Sequence, residues 1–206
     1  MEQVIGTVSL VKKSDRSELR TELVRKSIHM TIALVPLFAK INLNLTMVLL
    51  ALGTIFYSVS EMLRTNGINI PVLSKVTVMA ARKRDSGKMV LGPITLGLGT
   101  MLCLLLYPEP SASIGIYALA FGDGISSLVG KYFGIIKIPF TGGKTFEGTL
   151  AGIIAVLIAV FFITNDVSLS IAIALFCGFV EIFPLRDFDN IAIPVLTGLF
   201  SLIIMA

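Results

Sequence analysis

One carboxylate stands where an apolar chain would normally exclude it. Asp123 lies inside a long hydrophobic run, between Gly122 and Gly124 and just before two serines. A carboxylate at membrane depth is costly unless it meets a cation, a metal ion or water. The flanking glycines let another backbone or a ligand approach. The sequence therefore favours a functional Asp123, the alternative being an interhelical salt bridge on a small-residue packing face.

A glycine turn follows and opens directly into another apolar run: Gly142, Gly143, Lys144, Thr145, Phe146 and Glu147. The glycines free the backbone, Lys144 adds a cation, and Thr145 is a candidate N-cap, so a helix beginning here would aim its N–H groups at an anion. A P-loop is excluded, because that motif requires a glycine where Ile138 stands and a strand before it. In the alternative interpretation, Glu147 only complements the helix dipole and Lys144 only marks the cytoplasmic side.

Near the N-terminus, four polar residues have the spacing of one helical face: Glu22, Arg25, Lys26 and His29. Positions i, i+3, i+4 and i+7 lie on the same side of a helix. They could form a charged wall facing a nucleotide or a lipid head group. The alternative is an interfacial helix with a Glu22–Lys26 pair and a solvated His29.

Carboxylates and prolines crowd the C-terminal part of the chain around Glu181, Asp187, Asp189 and Asn190. Carboxylate oxygens next to a tight turn are suitable ligands for Mg²⁺, which is often held by one or two carboxylates plus substrate phosphates. Asp187 could equally be a solvated loop charge. Because His29 is the sole histidine, the sequence provides neither a hydrolase triad nor a histidine and cysteine cluster for zinc.

The composition shows what must hold these residues in place. Of 206 residues, 55% are hydrophobic and only 15% are charged, whereas roughly a quarter of a soluble domain is charged. This excludes a nucleic-acid binder, a soluble Rossmann enzyme and a secreted disulfide scaffold. Cys103 and Cys177 both sit in apolar runs and are interpreted as small buried hydrophobes. The sequence predicts an all-α integral membrane protein.

Apolar segments of suitable length predict a single bundle of about seven transmembrane helices, at 27–41, 43–63, 89–107, 113–133, 147–164, 167–185 and 190–206. Seven spans place every lysine and arginine except Lys40 on one side, which the positive-inside rule assigns to the cytoplasm. We therefore expect a cytoplasmic N-terminal segment at 1–21 and one transmembrane domain at 22–206. All four polar segments then lie near the cytoplasmic side, so the active site is expected to face the cytoplasm.

Together, the polar segments resemble the dolichol kinase/phytol kinase family of CTP-dependent lipid-alcohol kinases. This family includes yeast-type CTP-dependent diacylglycerol kinase and is distantly similar to CDP-diacylglycerol synthases. Four blocks carry the resemblance: 22–29, 121–131, 142–149, and 181–184 followed by 189–194. The resemblance implies transfer of the γ-phosphoryl group of CTP to a lipid hydroxyl, which gives a lipid monophosphate and CDP. The partners expected are CTP, a lipid alcohol and the bilayer, without nucleic acid.

Roles for individual residues follow from this resemblance. Catalytic roles are expected for four residues: Asp123, Lys144, Glu147 and Glu181. Contacts to the nucleotide are expected from basic and glycine-turn residues: Arg25, Lys26, His29, Lys131, Gly142, Gly143, Lys144 and Thr145. Mg²⁺ is expected on Asp123 and Asp189, with Glu22 and Asn190 in support. Asp123 and Glu181 are alternative bases for the alcohol, and Glu147 would orient Lys144 or the water shell of the metal.

Two other functions remain as alternatives. A cytidylyltransferase would use the same metal and lysines to join a lipid phosphate to the α-phosphate of CTP. A small cation- or proton-coupled transporter would use Asp123 and Glu181 as ion sites, although the sequence shows no inverted repeat. Glycine-rich faces could pack within the bundle or between subunits, so a homo-oligomer also stays open.

Overall fold

The computed structural model describes residues 16–81, 85 and 87–206. Within these ranges the chain is helical, apart from connecting turns and one isolated antiparallel bridge between Lys137 and Thr145. The all-α fold class is therefore confirmed. Most of the expected N-terminal segment at 1–21 lies outside the described residues.

The first half of the chain forms α1 Arg16–Met30, a 3-10 turn Thr31–Leu34, α2 Val35–Ile41, α3 Leu43–Thr65, α4 Pro71–Ala80 and α5 Gly92–Leu106. The second half forms α6 Ser111–Tyr117, a π-helical turn Ala118–Asp123, α7 Gly124–Phe133, α8 Phe146–Thr164, α9 Val167–Ile182, a 3-10 turn Arg186–Phe188 and α10 Asp189–Met205. The 27–41 segment, predicted as one span, is divided between the end of α1, the 3-10 turn and α2.

Local sequence signals explain where several helices begin. The side chains of Asn42, Thr145 and Asp166 cap α3, α8 and α9 by accepting a hydrogen bond from a backbone N–H three residues ahead. Such caps satisfy donors that the first helical turn leaves unpaired. Proline occupies the first turn of α2, α4 and α5, where its missing N–H costs nothing.

In the part of the chain that the structure describes, four helical stretches are long and apolar enough to cross a membrane: Leu43–Thr65, Ser111–Phe133, Phe146–Thr164 and Arg186–Met205. Three described helices are apolar but shorter: Pro71–Ala80, Gly92–Leu106 and Val167–Ile182. Large apolar side chains such as Leu49, Leu52 and Phe56 on α3 are exposed on the outer surface, as expected for a surface that faces lipid. The chain is an integral membrane protein. The seven-span count and the cytoplasmic N-terminus stay predictions.

The stretch Ser111–Phe133 is the most buried of the four and forms the centre of the bundle. It packs against α8 and α10, while α1 lies along α7. The contact between α7 and α8 is made by small residues. A Cβ atom on Gly148 would lie 2.6 Å from the Ser126 carbonyl oxygen, and one on Gly152 would lie 2.9 Å from that of Gly122. The first turn of α8, just after Lys144, therefore packs against Ser126 and Gly130 of α7.

Candidate functional site

Asp123 ends the π-helical turn and is buried, with 6% of its surface exposed. Its Oδ2 forms an ion pair with Nζ of Lys26, and its Oδ1 accepts a hydrogen bond from Oγ of Ser127 at 3.3 Å. Nε2 of His29 lies 3.5 Å from Oδ2. The carboxylate at membrane depth thus has a cation, a hydroxyl and an imidazole around it, which offsets the cost of its burial.

The π-helical turn Ala118–Asp123 interrupts the central stretch directly before this carboxylate. Such turns are rare and frequently occur at functional sites. Nε2 of His29 lies 3.0 Å from the Leu119 carbonyl oxygen within the turn. The turn therefore provides both the carboxylate and an additional acceptor for the α1 side chains.

The polar face of α1 packs into the bundle. Glu22, Lys26 and His29 are 1%, 2% and 5% exposed, so His29 is not solvated. Glu22 forms ion pairs with Arg25 and with Lys131, whose Nζ lies 2.9 Å from Glu22 Oε2. Lys26 is directed to Asp123, so the Glu22–Lys26 pair of the alternative interpretation is replaced by contacts of α1 with the π-helical turn and with α7.

A second lysine–carboxylate pair joins Lys144 to Glu181. Nζ of Lys144 lies 2.8 Å from Glu181 Oε1 and also donates to the Glu181 backbone carbonyl. The same carboxylate accepts hydrogen bonds from Oγ of Ser126 at 3.1 Å and from Oγ1 of Thr149 at 3.3 Å. Ser126 and Ser127 are adjacent on α7, and they donate to Glu181 and to Asp123, respectively. The two carboxylates are therefore linked through neighbouring positions of one helix.

The loop that carries Lys144 is a short closed turn. Gly142 and Gly143 have φ angles of 72° and 104°, a region that only glycine adopts readily. Thr145 caps α8 by accepting from the Gly148 N–H at 3.2 Å, as predicted. Glu147 accepts from the backbone N–H groups of Ile135 and Ile136 at 3.1 and 3.2 Å, so here it secures the loop and is not directed to Lys144.

The start of α10 is fixed to α5. Nδ2 of Asn190 donates to the Gly92 carbonyl at 3.1 Å and to Oγ1 of Thr95 at 2.9 Å, instead of orienting a carboxylate. Asp189 is half-buried at the first position of α10. Asn190 therefore positions the helix that carries Asp189.

The site offers few protein ligands for a magnesium ion. Among the described residues, no group of three or more histidine, cysteine, aspartate or glutamate side chains could hold a metal. Any metal here would depend on one or two carboxylates and on phosphate oxygens from a substrate, which is how Mg²⁺ is commonly bound. Asp123 and Asp189 supply the right kind of oxygen for that mode of binding.

Comparison with known proteins supports the resemblance drawn from the motifs. Dolichol kinase from Mus musculus is 32% identical over 133 residues, covering 54% of this chain and 25% of the relative. A probable chloroplastic phytol kinase from Triticum aestivum is 25% identical over an alignment of 227 positions that covers 97% of this chain and 74% of the relative. The chain is similar to dolichol and phytol kinases.

The match to the dolichol kinases is partial. The aligned region spans about a quarter of their length, 25% for the mouse protein and 24% for dolichol kinase from Homo sapiens. No family model and no solved structure matches the chain. The similarity to the Triticum aestivum phytol kinase extends over almost the whole chain, so it covers all the polar segments described above.

Sequence reasoning noted the two serines after Asp123 but missed Thr149 and the contacts that these hydroxyl groups make. Ser126 and Thr149 share the Glu181 carboxylate, and the π-helical turn supplies a carbonyl to His29. Small hydroxyl residues are common in membrane helices, so their types alone gave no signal. Their positions, three residues after Asp123 and two after Glu147, were the only available indication.

Proposed function

We propose that the protein is a membrane lipid kinase that transfers the γ-phosphoryl group of CTP to the hydroxyl of a lipid alcohol. The observation that carries this proposal is two neighbouring lysine–carboxylate contacts. Lys26–Asp123 joins α1 to the π-helical turn, and Lys144–Glu181 joins the loop before α8 to α9. The similarity to dolichol and phytol kinases supports the same reaction class.

The two pairs suit a site that must hold both phosphates and a reacting hydroxyl. Phosphoryl transfer is mostly positioning and neutralisation of charge. Each lysine is balanced by a carboxylate while no triphosphate is bound, which avoids an isolated buried charge. When the nucleotide binds, Lys144 would exchange Glu181 for a phosphate oxygen. Lys131, whose side chain is 37% exposed, would likewise exchange its partner Glu22 for a phosphate oxygen.

The reaction then follows without a covalent intermediate. The lipid hydroxyl oxygen forms a bond to the γ-phosphorus, the bond from that phosphorus to the β–γ bridging oxygen breaks, and CDP leaves. The hydroxyl proton passes to Asp123, with Glu181 as the alternative base. Mg²⁺ held by Asp123 and Asp189 would supply charge neutralisation for the phosphate oxygens.

The donor and the acceptor are assigned on different grounds. CTP as the donor depends on the family resemblance. The acceptor class is a lipid alcohol such as a polyprenol or dolichol, phytol, farnesol or diacylglycerol, since a site within a membrane bundle is reached from the bilayer. The cytoplasmic orientation of the site depends on the positive-inside distribution of charge.

Position-specific labelling tests the reaction. The purified protein is incubated with Mg²⁺, a panel of lipid alcohols, a lipid phosphate, and CTP labelled at either the α or the γ phosphate. We expect γ label in the lipid alcohol and unlabelled CDP from the same reaction. Label from the α position in the lipid phosphate would instead support the cytidylyltransferase. No transfer from either position would contradict both enzymatic functions for that panel.

Substitutions in the two pairs test the site. We expect Asp123→Asn and Lys144→Ala each to lower kcat/KM by about 100-fold or more, since general bases and charge-stabilising groups contribute on that scale. Lys137→Ala is the matched control, because it removes a lysine from the same loop without touching Glu181. Full activity in a correctly inserted Asp123→Asn variant would remove Asp123 from the mechanism.

A further inference from the structure

A cavity of ≈ 160 Å³ lies beside the site, between α1, α4 and the start of α5. Much of its wall is aliphatic, contributed by Ile28, Leu73, Val76, Val90 and Leu96. Polar residues line it as well: Arg25, His29, Tyr57, Thr77, Asp85, Asp187 and Asn190. A pocket that combines an apolar wall with polar groups is the usual form of a small-molecule site.

The cavity reaches the reacting centre through His29. This side chain lines the cavity, and its Nε2 lies 3.5 Å from Asp123 Oδ2. None of the described lining residues comes from 97–186, the part of the chain that carries Lys131 and Lys144. The cavity therefore lies away from Lys131 and Lys144, and α1 joins it to Asp123, because α1 lines the cavity with His29 and also pairs Lys26 with Asp123.

The wall around Val90 is held in place by polar contacts. Glu61, which is 2% exposed, accepts hydrogen bonds from the Val90 N–H at 2.7 Å and from Arg64 at 2.6 and 2.8 Å. The Tyr57 hydroxyl donates to the Val90 carbonyl at 3.2 Å. A wall fixed through both backbone groups of one residue is typical of a pre-formed pocket.

The α4 helix gives the cavity a route to the bilayer. With ten residues it is about 15 Å long, half of what a span requires. It packs against α1 and α3, and it exposes apolar side chains away from them, Val72 at 78% and Val78 at 61%. A short apolar helix that covers a cavity in this way leaves room for a lipid to enter beside it.

The size of the cavity limits what it can enclose. A protein cavity of roughly 150 Å³ accommodates a benzene-sized guest, which is about six carbons. The cavity would therefore hold a hydroxyl group and the first few carbons of an alcohol. The remaining tail would pass beside α4 into the membrane, so tail length would matter little for binding.

We propose that this cavity binds the hydroxyl-bearing end of the acceptor lipid, with His29 between the hydroxyl and Asp123. The proposal rests on the proposed lipid kinase function. His29 lines the cavity, and its Nε2 lies 3.0 Å from the Leu119 carbonyl oxygen and 3.5 Å from Asp123 Oδ2, so this side chain connects the cavity to the carboxylate. His29 thus belongs to the acceptor side of the site, not to the nucleotide.

Kinetics of two matched variants test the proposal. Val76→Phe fills the cavity, whereas Val78→Phe makes the same change on the exposed side of α4. We expect Val76→Phe to raise the KM for the lipid alcohol about tenfold with an unchanged KM for CTP, since overpacking of this kind costs on that scale. Val78→Phe should behave like the unmodified protein. Equal alcohol KM values for the two variants would overturn the proposal.

Photolabelling gives a readout that does not require phosphoryl transfer. A diazirine-bearing geraniol analogue is irradiated with the purified protein, and labelled peptides are mapped by mass spectrometry. We expect label on α4 and on 87–96, competed by unlabelled geraniol and lost in Val76→Phe. Such label without any transfer of phosphate would contradict the kinase function and leave the cavity as an alcohol site. Transfer of phosphate with competed label only on other helices would overturn the cavity and leave the kinase function standing.

Discussion

At the scale of single residues, Asp123 and Lys26 depend on each other. Both are buried, and each is the counter-ion of the other. Breaking a buried ion pair by removing one partner is strongly destabilising, because the remaining charge has no compensation. Apolar side chains could fill the same space without any charge. A buried ion pair in a membrane bundle is therefore a candidate for a functional role.

This dependence predicts how substitutions in the pair combine. We expect Lys26→Met alone to lower the free energy of unfolding by about 3–5 kcal/mol, since it leaves the Asp123 carboxylate uncompensated. Lys26→Met with Asp123→Asn should recover most of that loss without recovering phosphoryl transfer. The measurement is thermal unfolding in detergent alongside the γ-label assay. If the double variant regains activity, the pair is structural only.

At the scale of elements, the site depends on how closely α7 and α8 approach. Gly122 of the π-helical turn is followed at intervals of four residues by Ser126 and Gly130 of α7, and Gly148 and Gly152 have the same spacing along α8. Such small-residue stripes allow close backbone contact between membrane helices. A Cβ atom on Gly148 would lie 2.9 Å from the Gly130 Cα atom, which is closer than real side chains approach. The same contact sets the distance between Ser126 and the Glu181 cluster.

Two separate glycine-to-alanine substitutions, one at the contact between α7 and α8 and one on α3, distinguish the effect of packing on stability from the effect of helix propensity. Gly148→Ala should push α8 from α7, lower the unfolding temperature and reduce activity severalfold, because overpacking costs about 1–3 kcal/mol. Gly53→Ala on α3 meets nothing within 4 Å and should be neutral or slightly stabilising. Unfolding curves and the γ-label assay on both variants provide the comparison. Equal behaviour of the two would show that the close contact is not needed.

At the scale of the whole molecule, the sequence predicted the positions of most helices but not their pairings. Apolar runs mark helices in a membrane chain because each span must bury its backbone in hydrocarbon, so the predicted 147–164 and 167–185 spans nearly coincide with α8 and α9. The partner of Lys26 is 97 residues away in sequence, and it depends on α1 lying along α7. The interruption at Ala118–Asp123 likewise had no clear sequence signal.

The orientation of the molecule is the prediction on which the location of the active site depends. α8 has 19 residues and is about 28 Å long, so its two ends should lie on opposite sides of the bilayer. Phe140, which is 99% exposed, precedes α8, and Asn165, which is exposed, follows it. Cys103 and Cys177 are buried, with 0% and 1% of their surface exposed, so single introduced cysteines report cleanly.

With a cytoplasmic N-terminus, Asn165→Cys should react with a membrane-impermeant maleimide in intact cells. Phe140→Cys should react only after the membrane is permeabilised, since its loop carries the basic residues that the positive-inside rule retains in the cytoplasm. The reverse pattern would place the lysine loop and the site outside. Labelling of both cysteines in intact cells would mean that α8 does not cross the membrane. The orientation matters for the reaction, because a nucleotide from the cytoplasm can reach the site only if the loop that carries Lys144 faces the cytoplasm.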